Sequence, residues 1–152
     1  TLKKFKGLKY RQQIIYSSKY LTIINDSKST SFSSSESLLK SLSNVYWILG
    51  GLPKKNDKFL LTKKDCKNFK AYIFGKNKNF FINKLKNIMK YECFFNLKTL
   101  IEKVIKDSEI DKNKVHKTIL FSPAAASFDS FKNFEERGKY FNKIIKLKKN
   151  AK

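Results

Sequence analysis

Thr118-Ile119-Leu120-Phe121-Ser122-Pro123-Ala124-Ala125-Ala126-Ser127-Phe128-Asp129-Ser130-Phe131 is the stretch that decides the fold of this 152-residue chain. Thr118 to Phe121 reads as a short buried strand. The residues after it are nearly free of side chains. Phe131, Phe134 and Phe141 then fall on one face of an amphipathic helix, predicted over 130–146. A strand that ends in small residues and opens a helix offers backbone N–H groups and the Ser127 hydroxyl at a helix N-terminus, where anions bind most readily.

Working back along the chain, the same alternation of strand and helix recurs. Gln12–Tyr16 and Tyr20–Ile24 are β-type runs joined by Ser17-Ser18-Lys19, a hairpin. The serine-rich stretch after them holds Ser33 three residues before Glu36, a capping box, and Leu38, Leu39 and Leu42 follow at helical spacing. Val45–Leu49, ended by Gly50-Gly51, and Phe69–Phe74, ended by Gly75, are continuous apolar runs of the kind buried on both faces. A helix with Phe80, Phe81, Leu85 and Ile88, a short strand over 91–95 and a helix over 97–105 complete the order. Alternating strands and helices predict an α/β, Rossmann-like domain. Its sheet is mostly parallel with an antiparallel N-terminal hairpin edge, and helices cover both faces. No GxGxxG follows any of the strands, and no GxxxxGK[ST] is present.

Composition narrows the function. Hydrophobic residues make up 41% of the chain, too many for a disordered segment, and no apolar run approaches the ~20 residues of a membrane helix. A formal net charge of +22 suggests nucleic acid. The charge, however, is almost all lysine and is spread along the chain, whereas readers of base edges lean on arginine. Compositional drift over a solvated surface is the simpler account, and neither nucleic acid nor membrane is expected as a partner; a basic nucleic-acid-binding α/β module is the alternative. Cys66 and Cys93 lie far apart without a CxxC, and His116 is the only histidine. A metal site, a disulfide and nucleophilic triad chemistry are therefore not expected, and a reducing cytoplasm fits. A chain that begins at Thr1 suggests a piece of something longer.

In open α/β sheets ligands sit beyond the carboxyl ends of the strands. Three segments of unusual composition follow strand ends: Asn25-Asp26-Ser27-Lys28-Ser29-Thr30, Gly50-Gly51-Leu52-Pro53-Lys54, and Ser122 to Ser127. If Tyr16 pairs with Tyr20, the constant index sum of antiparallel partners sets Arg11 opposite Asn25 and brings it to the same edge. The resulting set holds Arg11, Lys28, Lys54, the Thr30 and Ser127 hydroxyls, the Asp26 carboxylate and a helix N-terminus. It suits a small dicarboxylate or a phosphate, and no member has the look of a general base or nucleophile. Bland readings stand beside each: a lysine is most often a solvated surface group, Thr30 and Ser33 are possible helix caps, Asp26 a turn residue, and Phe134 a core side chain.

These motifs, with Phe5-Lys6-Gly7-Leu8-Lys9-Tyr10-Arg11, Tyr46–Lys54 and Ser122–Gly138, resemble the C-terminal domain of the Mur ligase family, in the branch that adds D-glutamate to UDP-N-acetylmuramoyl-L-alanine in peptidoglycan synthesis. The resemblance covers nearly the whole chain, with 59–117 matching in element order more than in residues. It implies an ATP-dependent ligase working through an acyl phosphate. Thr30, Lys54, Ser127 and the Phe134 backbone would hold D-glutamate, and Arg11, Asp26 and Lys28 would reach the nucleotide. It implies, too, that 1–152 is one domain of a longer enzyme. The ATP and Mg2+ sites would belong mainly to a central domain, the UDP-sugar site to an N-terminal one, and the isolated piece would be inactive. Two positions depart from the family pattern: Tyr10 stands where histidine is usual, and Ser31 where asparagine is.

Overall fold

Residues 8–110 and 114–150 are described by the computed structural model, so the Phe5–Gly7 part of the resemblance lies outside the described residues. Six strands and four helices follow in the order β1 (Gln13–Ser17), β2 (Leu21–Asn25), α1 (Phe32–Leu39), β3 (Val45–Gly50), β4 (Phe69–Phe74), α2 (Lys78–Leu85), β5 (Lys90–Phe94), α3 (Leu97–Ile110), β6 (Lys117–Phe121) and α4 (Phe134–Asn150). They form one sheet in the order β1-β2-β6-β3-β4-β5, parallel except for the antiparallel β1–β2 edge. The α/β class and the hairpin edge are as the residue pattern predicts.

The central strands explain their own burial. β6 is buried along its whole length, and β3 and β4 nearly so, because helices cover both faces. Phe32 and Leu39 of α1 and Phe81 and Leu85 of α2 pack with Trp47, Leu49, Ala71 and Ile73 on one face. Leu100, Ile101 and Val104 of α3 and Phe141, Ile144 and Ile145 of α4 pack with Ile48, Tyr72, Ile119 and Phe121 on the other. Side chains alternate across a strand, so Trp47 and Ile48 serve opposite layers. Phe121 stacks on Phe141 with centroids 4.3 Å apart, which fixes α4 against the end of β6.

Three details differ from expectation. The hairpin pairs Gln13 with Asn25 and Ile14 with Ile24, then shifts register so that Tyr16 faces Ile23. Arg11 is therefore not opposite Asn25. The tighter Ser18 N–H to Leu21 carbonyl turn and the shift between Ile14 and Tyr16 account for the slip. The capping box of α1 is Ser31 with Ser34, not Ser33 with Glu36. Glu36 is buried and accepts the Leu60 N–H. Finally, α4 begins at Phe134 rather than Ser130. Asn133 caps it through Glu136 N at 2.8 Å, and Phe131 lies in the preceding turn against Tyr140. Ser127 is thus separated from the helix N-terminus by the turn over 128–133.

Candidate functional site

The three segments do meet, beyond the carboxyl ends of β2, β3 and β6, and backbone hydrogen bonds join them. Gly50 N–H reaches the Pro123 carbonyl at 3.1 Å, and Leu52 and Ala126 exchange two hydrogen bonds of 2.9 Å each. Gly51 makes that approach possible. Its φ is +128°, and a Cβ there would stand 2.5 Å from the Ala126 carbonyl oxygen. Asn77, at the start of α2, donates to the Gly51 carbonyl at 3.1 Å.

The Asn25–Thr30 segment is tied down from α4. Asn25 Nδ2 donates to the Gly138 carbonyl at 2.9 Å and to Asn142 Oδ1 at 2.7 Å, and its Oδ1 accepts Ser27 N–H at 3.1 Å. Arg137 completes the tie. Its guanidinium is 1% exposed and donates to the Ser27 carbonyl at 2.6 Å, Ser27 Oγ at 3.1 Å, the Ser29 carbonyl at 3.4 Å and the Ala125 carbonyl at 2.8 Å. One buried cation thereby bridges the loop after β2 to the loop after β6. Burial lowers its pKa to about 10, against the nearby Asp129 charge. Sequence reasoning missed Arg137. A signal for it exists: in a lysine-rich chain, arginine stands at positions 11 and 137 alone.

The expected site residues divide by burial. Thr30, Lys54 and Arg11 are exposed, Lys28 and Phe134 half-buried, and Asp26 and Ser127 buried. Ser31, not Thr30, caps α1, so the Thr30 hydroxyl is not needed for the cap. Lys54 makes no ion pair among the described residues. Lys28 Nζ lies 5.8 Å from the centroid of the Phe134 ring, and its N–H donates to the Tyr10 carbonyl at 3.0 Å. Phe134 is the first residue of α4, where the N–H has no acceptor within the helix, and its carbonyl accepts Ser27 Oγ at 2.8 Å.

Asp26 is not the self-bonded turn residue of the bland reading; Asn25 takes that part. Asp26 Oδ1 accepts Gln12 N–H at 3.1 Å and Oδ2 accepts the Ser122 hydroxyl at 2.8 Å. Burial raises its pKa, and the two hydrogen bonds and the Arg11 charge oppose the rise. Arg11 therefore acts on Asp26 electrostatically despite the changed register. Ser122 also bonds Ser35 Oγ at 2.7 Å, and its carbonyl accepts Trp47 Nε1–H at 2.8 Å. Ser127 is the opposite case: 2% exposed, with a hydroxyl that has no hydrogen-bond partner among the described residues.

Two hollows lie elsewhere. One, about 1500 Å³, opens at the opposite sheet edge between Lys63, Lys67, Lys70, Lys86 and Lys90. The other, about 450 Å³, lies beside Gly75, Asn96 and Phe131. Neither is lined by Thr30, Lys54 or Ser127. Among the described residues no group of His, Cys, Asp and Glu is arranged to hold a metal ion, and no helix is long and apolar enough to cross a membrane. Both cysteines are free; burial pushes the Cys66 thiol up to about 11. His116 bonds Thr22 Oγ1 at 2.8 Å, beside the start of β6.

No model of a known protein family matches the chain. Individual relatives do. It is 38% identical over 146 residues to the UDP-N-acetylmuramoylalanine--D-glutamate ligase of Rickettsia prowazekii, covering 96% of this chain and 33% of that protein. To the ligase of the same name from Francisella philomiragia it is 36% identical over 151 residues, covering 95% and 34%. To that of Agrobacterium fabrum it is 36% identical over 140 residues, covering 92% and 30%. The chain thus spans about a third of the length of the relatives it matches. Over nearly its whole length, the chain is similar to a domain-sized part of these UDP-N-acetylmuramoylalanine--D-glutamate ligases.

Proposed function

We propose that this chain is the amino-acid-binding domain of an ATP-dependent ligase that joins D-glutamate to UDP-N-acetylmuramoyl-L-alanine in peptidoglycan synthesis. The observation that carries the reading is the union of three loops at one sheet edge, held by the Leu52–Ala126 pairing and the Arg137 bridge, with ligand-type groups left over on each. Thr30 comes from the first loop, Lys54 from the second and Ser127 from the third. Together with the Phe134 N–H they supply a cation and neutral donors, the set that two carboxylates require. In the same reading Arg11, Asp26 and Lys28 would reach the nucleotide.

In this reading ATP, with Mg2+, activates the acceptor carboxylate as an acyl phosphate, and both are held mainly outside this chain. The domain's own part is to orient the D-glutamate amine for attack and to supply positive charge as phosphate departs. Binding a carboxylate through a charge-assisted hydrogen bond contributes about 1.5–3 kcal/mol. In a full-length ligase carrying this domain, Lys54→Ala and Ser127→Ala should therefore each raise the KM for D-glutamate by roughly ten- to a hundred-fold. D-glutamate-dependent phosphate release measures it. Unchanged KM in both variants would remove the assignment.

A further inference from the structure

The groups around this edge are almost all suited to anions. Arg11, Lys28, Lys54, Lys76 and the buried Arg137 are cations, and an amino acid arriving there carries an ammonium group as well as its carboxylates. The ammonium needs an acceptor, and the candidates in the connections after β2, β3 and β6 are Asp26, Asp57, Asp65 and Asp129; Asp65 is exposed and accepts from Thr62. Asp26 and Asp57 each already have a protein donor on both oxygens. Asp26 accepts Gln12 N–H and the Ser122 hydroxyl, one on each oxygen. Asp57 accepts Phe32 N–H on Oδ2 at 2.8 Å and Lys58 N–H on Oδ1 at 3.1 Å.

Asp129 is different. Its Oδ2 is buried and has no hydrogen-bond partner among the described residues, and the Ser127 hydroxyl two residues away has none either. Two unsatisfied polar atoms in one turn are costly, about 1–3 kcal/mol each, and native proteins rarely keep them without a use. A carboxylate oxygen only accepts; a hydroxyl accepts and donates. The pair therefore fits a group rich in donors. Gly75, whose φ is +95°, keeps the approach free of a side chain: even a Cβ there would stand 3.5 Å from Asp129 Oδ2. Burial raises the Asp129 pKa, and its backbone hydrogen bonds and the Arg137 charge oppose the rise. Such a carboxylate is one that a cationic partner would stabilise in its ionised form.

We infer that Asp129 is the recognition point for the ammonium group of the incoming amino acid, with the Ser127 oxygen accepting from that ammonium while its own proton goes to a ligand carboxylate. The inference rests on the amino-acid-site reading above and adds to it the feature that separates an amino dicarboxylate from a plain one. Both atoms are shut from solvent as the turn lies, so the ligand reaches them by a rearrangement of the turn 128–133 that turns the Asp129 carboxylate outward; this turn belongs to no helix or strand and exposes Phe128.

The test compares two ligands on the 15N-labelled chain by NMR titration: D-glutamate, and glutarate, which has both carboxylates and no amino group. Asp129→Asn should weaken D-glutamate by about ten-fold, the loss of one charge-assisted hydrogen bond, and leave glutarate unchanged. Unchanged glutarate binding also certifies that the variant site is folded. Lys54→Ala should weaken both ligands. If Asp129→Asn weakens both equally, or neither, the ammonium assignment is overturned while the site stands. If the unmutated chain binds neither ligand, or Lys54→Ala weakens neither, the site itself is misassigned and the inference falls with it.

Discussion

Arg137 Nη1 donates to the Ala125 carbonyl at 2.8 Å while Nη2 of the same guanidinium reaches the Ser27 carbonyl at 2.6 Å. A planar fork with several donors can satisfy carbonyls from two loops at once, which a lysine ammonium cannot match in geometry. Arg137→Met leaves those buried acceptors without donors. The expected cost is about 3 kcal/mol in urea denaturation, with Arg137→Lys recovering less than half of it. Full recovery by lysine would show that charge, and not the fork, holds the loops.

Ser122 and Ser127 stand five residues apart and should behave oppositely. Ser122 bonds Asp26 and Ser35, so Ser122→Ala strands two buried partners and should cost about 1–3 kcal/mol. The Ser127 hydroxyl has no partner among the described residues, so Ser127→Ala should leave the stability of the chain within about 0.5 kcal/mol or raise it. The same substitution is the one expected to weaken amino-acid binding. Thermal melts of the two variants, beside glutamate titrations, separate the roles.

The layered α/β fold was legible because β3, β4 and β6 are continuous apolar runs and each ends at glycine or at small residues. The three loops were legible for the same reason, since strand ends of a parallel sheet share one edge. The joints between them were not. Arg137 reads locally as one more charged residue on a helix, and only tertiary packing turns it inward. The hairpin slip depends on turn geometry that alternation of Ile and Tyr does not specify, and so Gln13, not Arg11, faces Asn25. The start of α4 was placed early because Phe131 keeps helical spacing with Phe134, although it packs on Tyr140 from a turn. Asp129 was not singled out, because nothing in the sequence shows that its carboxylate is buried without a hydrogen-bond partner among the described residues.

Asp26 carries a penalty that its neighbours do not remove. Burial raises its pKa in the folded chain, so the ionised form is disfavoured by folding. A carboxyl with a raised folded pKa favours the native state at low pH, and that advantage is lost as pH rises through the folded value. Asp26→Asn has no such titration. The variant should match or exceed the parent in Tm at pH 7, and the difference should shrink as pH falls toward the ordinary Asp range. A stabilised but less active ligase would mark Asp26 as kept for nucleotide chemistry and not for folding. A variant less stable at pH 7 would show instead that the Ser122 and Gln12 hydrogen bonds outweigh burial.

Gly138 sits within α4, where alanine is intrinsically better by about 1 kcal/mol. The Tyr10 ring cancels that advantage. A Cβ at 138 would lie 2.4 Å from Tyr10 Cδ1 and 2.5 Å from Cγ, so the ring must move. Tyr10 is not free to do so alone: its φ is +66°, its carbonyl accepts Lys28 N–H, and Gln12 just beyond it donates to Asp26. Displacing Tyr10 therefore shifts the strip that carries Arg11 and supports Asp26 and Lys28, while Lys54 and Ser127 lie on the other two loops. Gly138→Ala should cost about 1–3 kcal/mol from overpacking. In a full-length ligase it should raise the KM for ATP far more than that for D-glutamate. Tyr10→Ala in the same chain should recover stability, since it removes the clashing ring, giving a favourable coupling in a double-mutant cycle. Additive losses would place the cost of Gly138→Ala in α4 itself and break the proposed link between that helix and the nucleotide group.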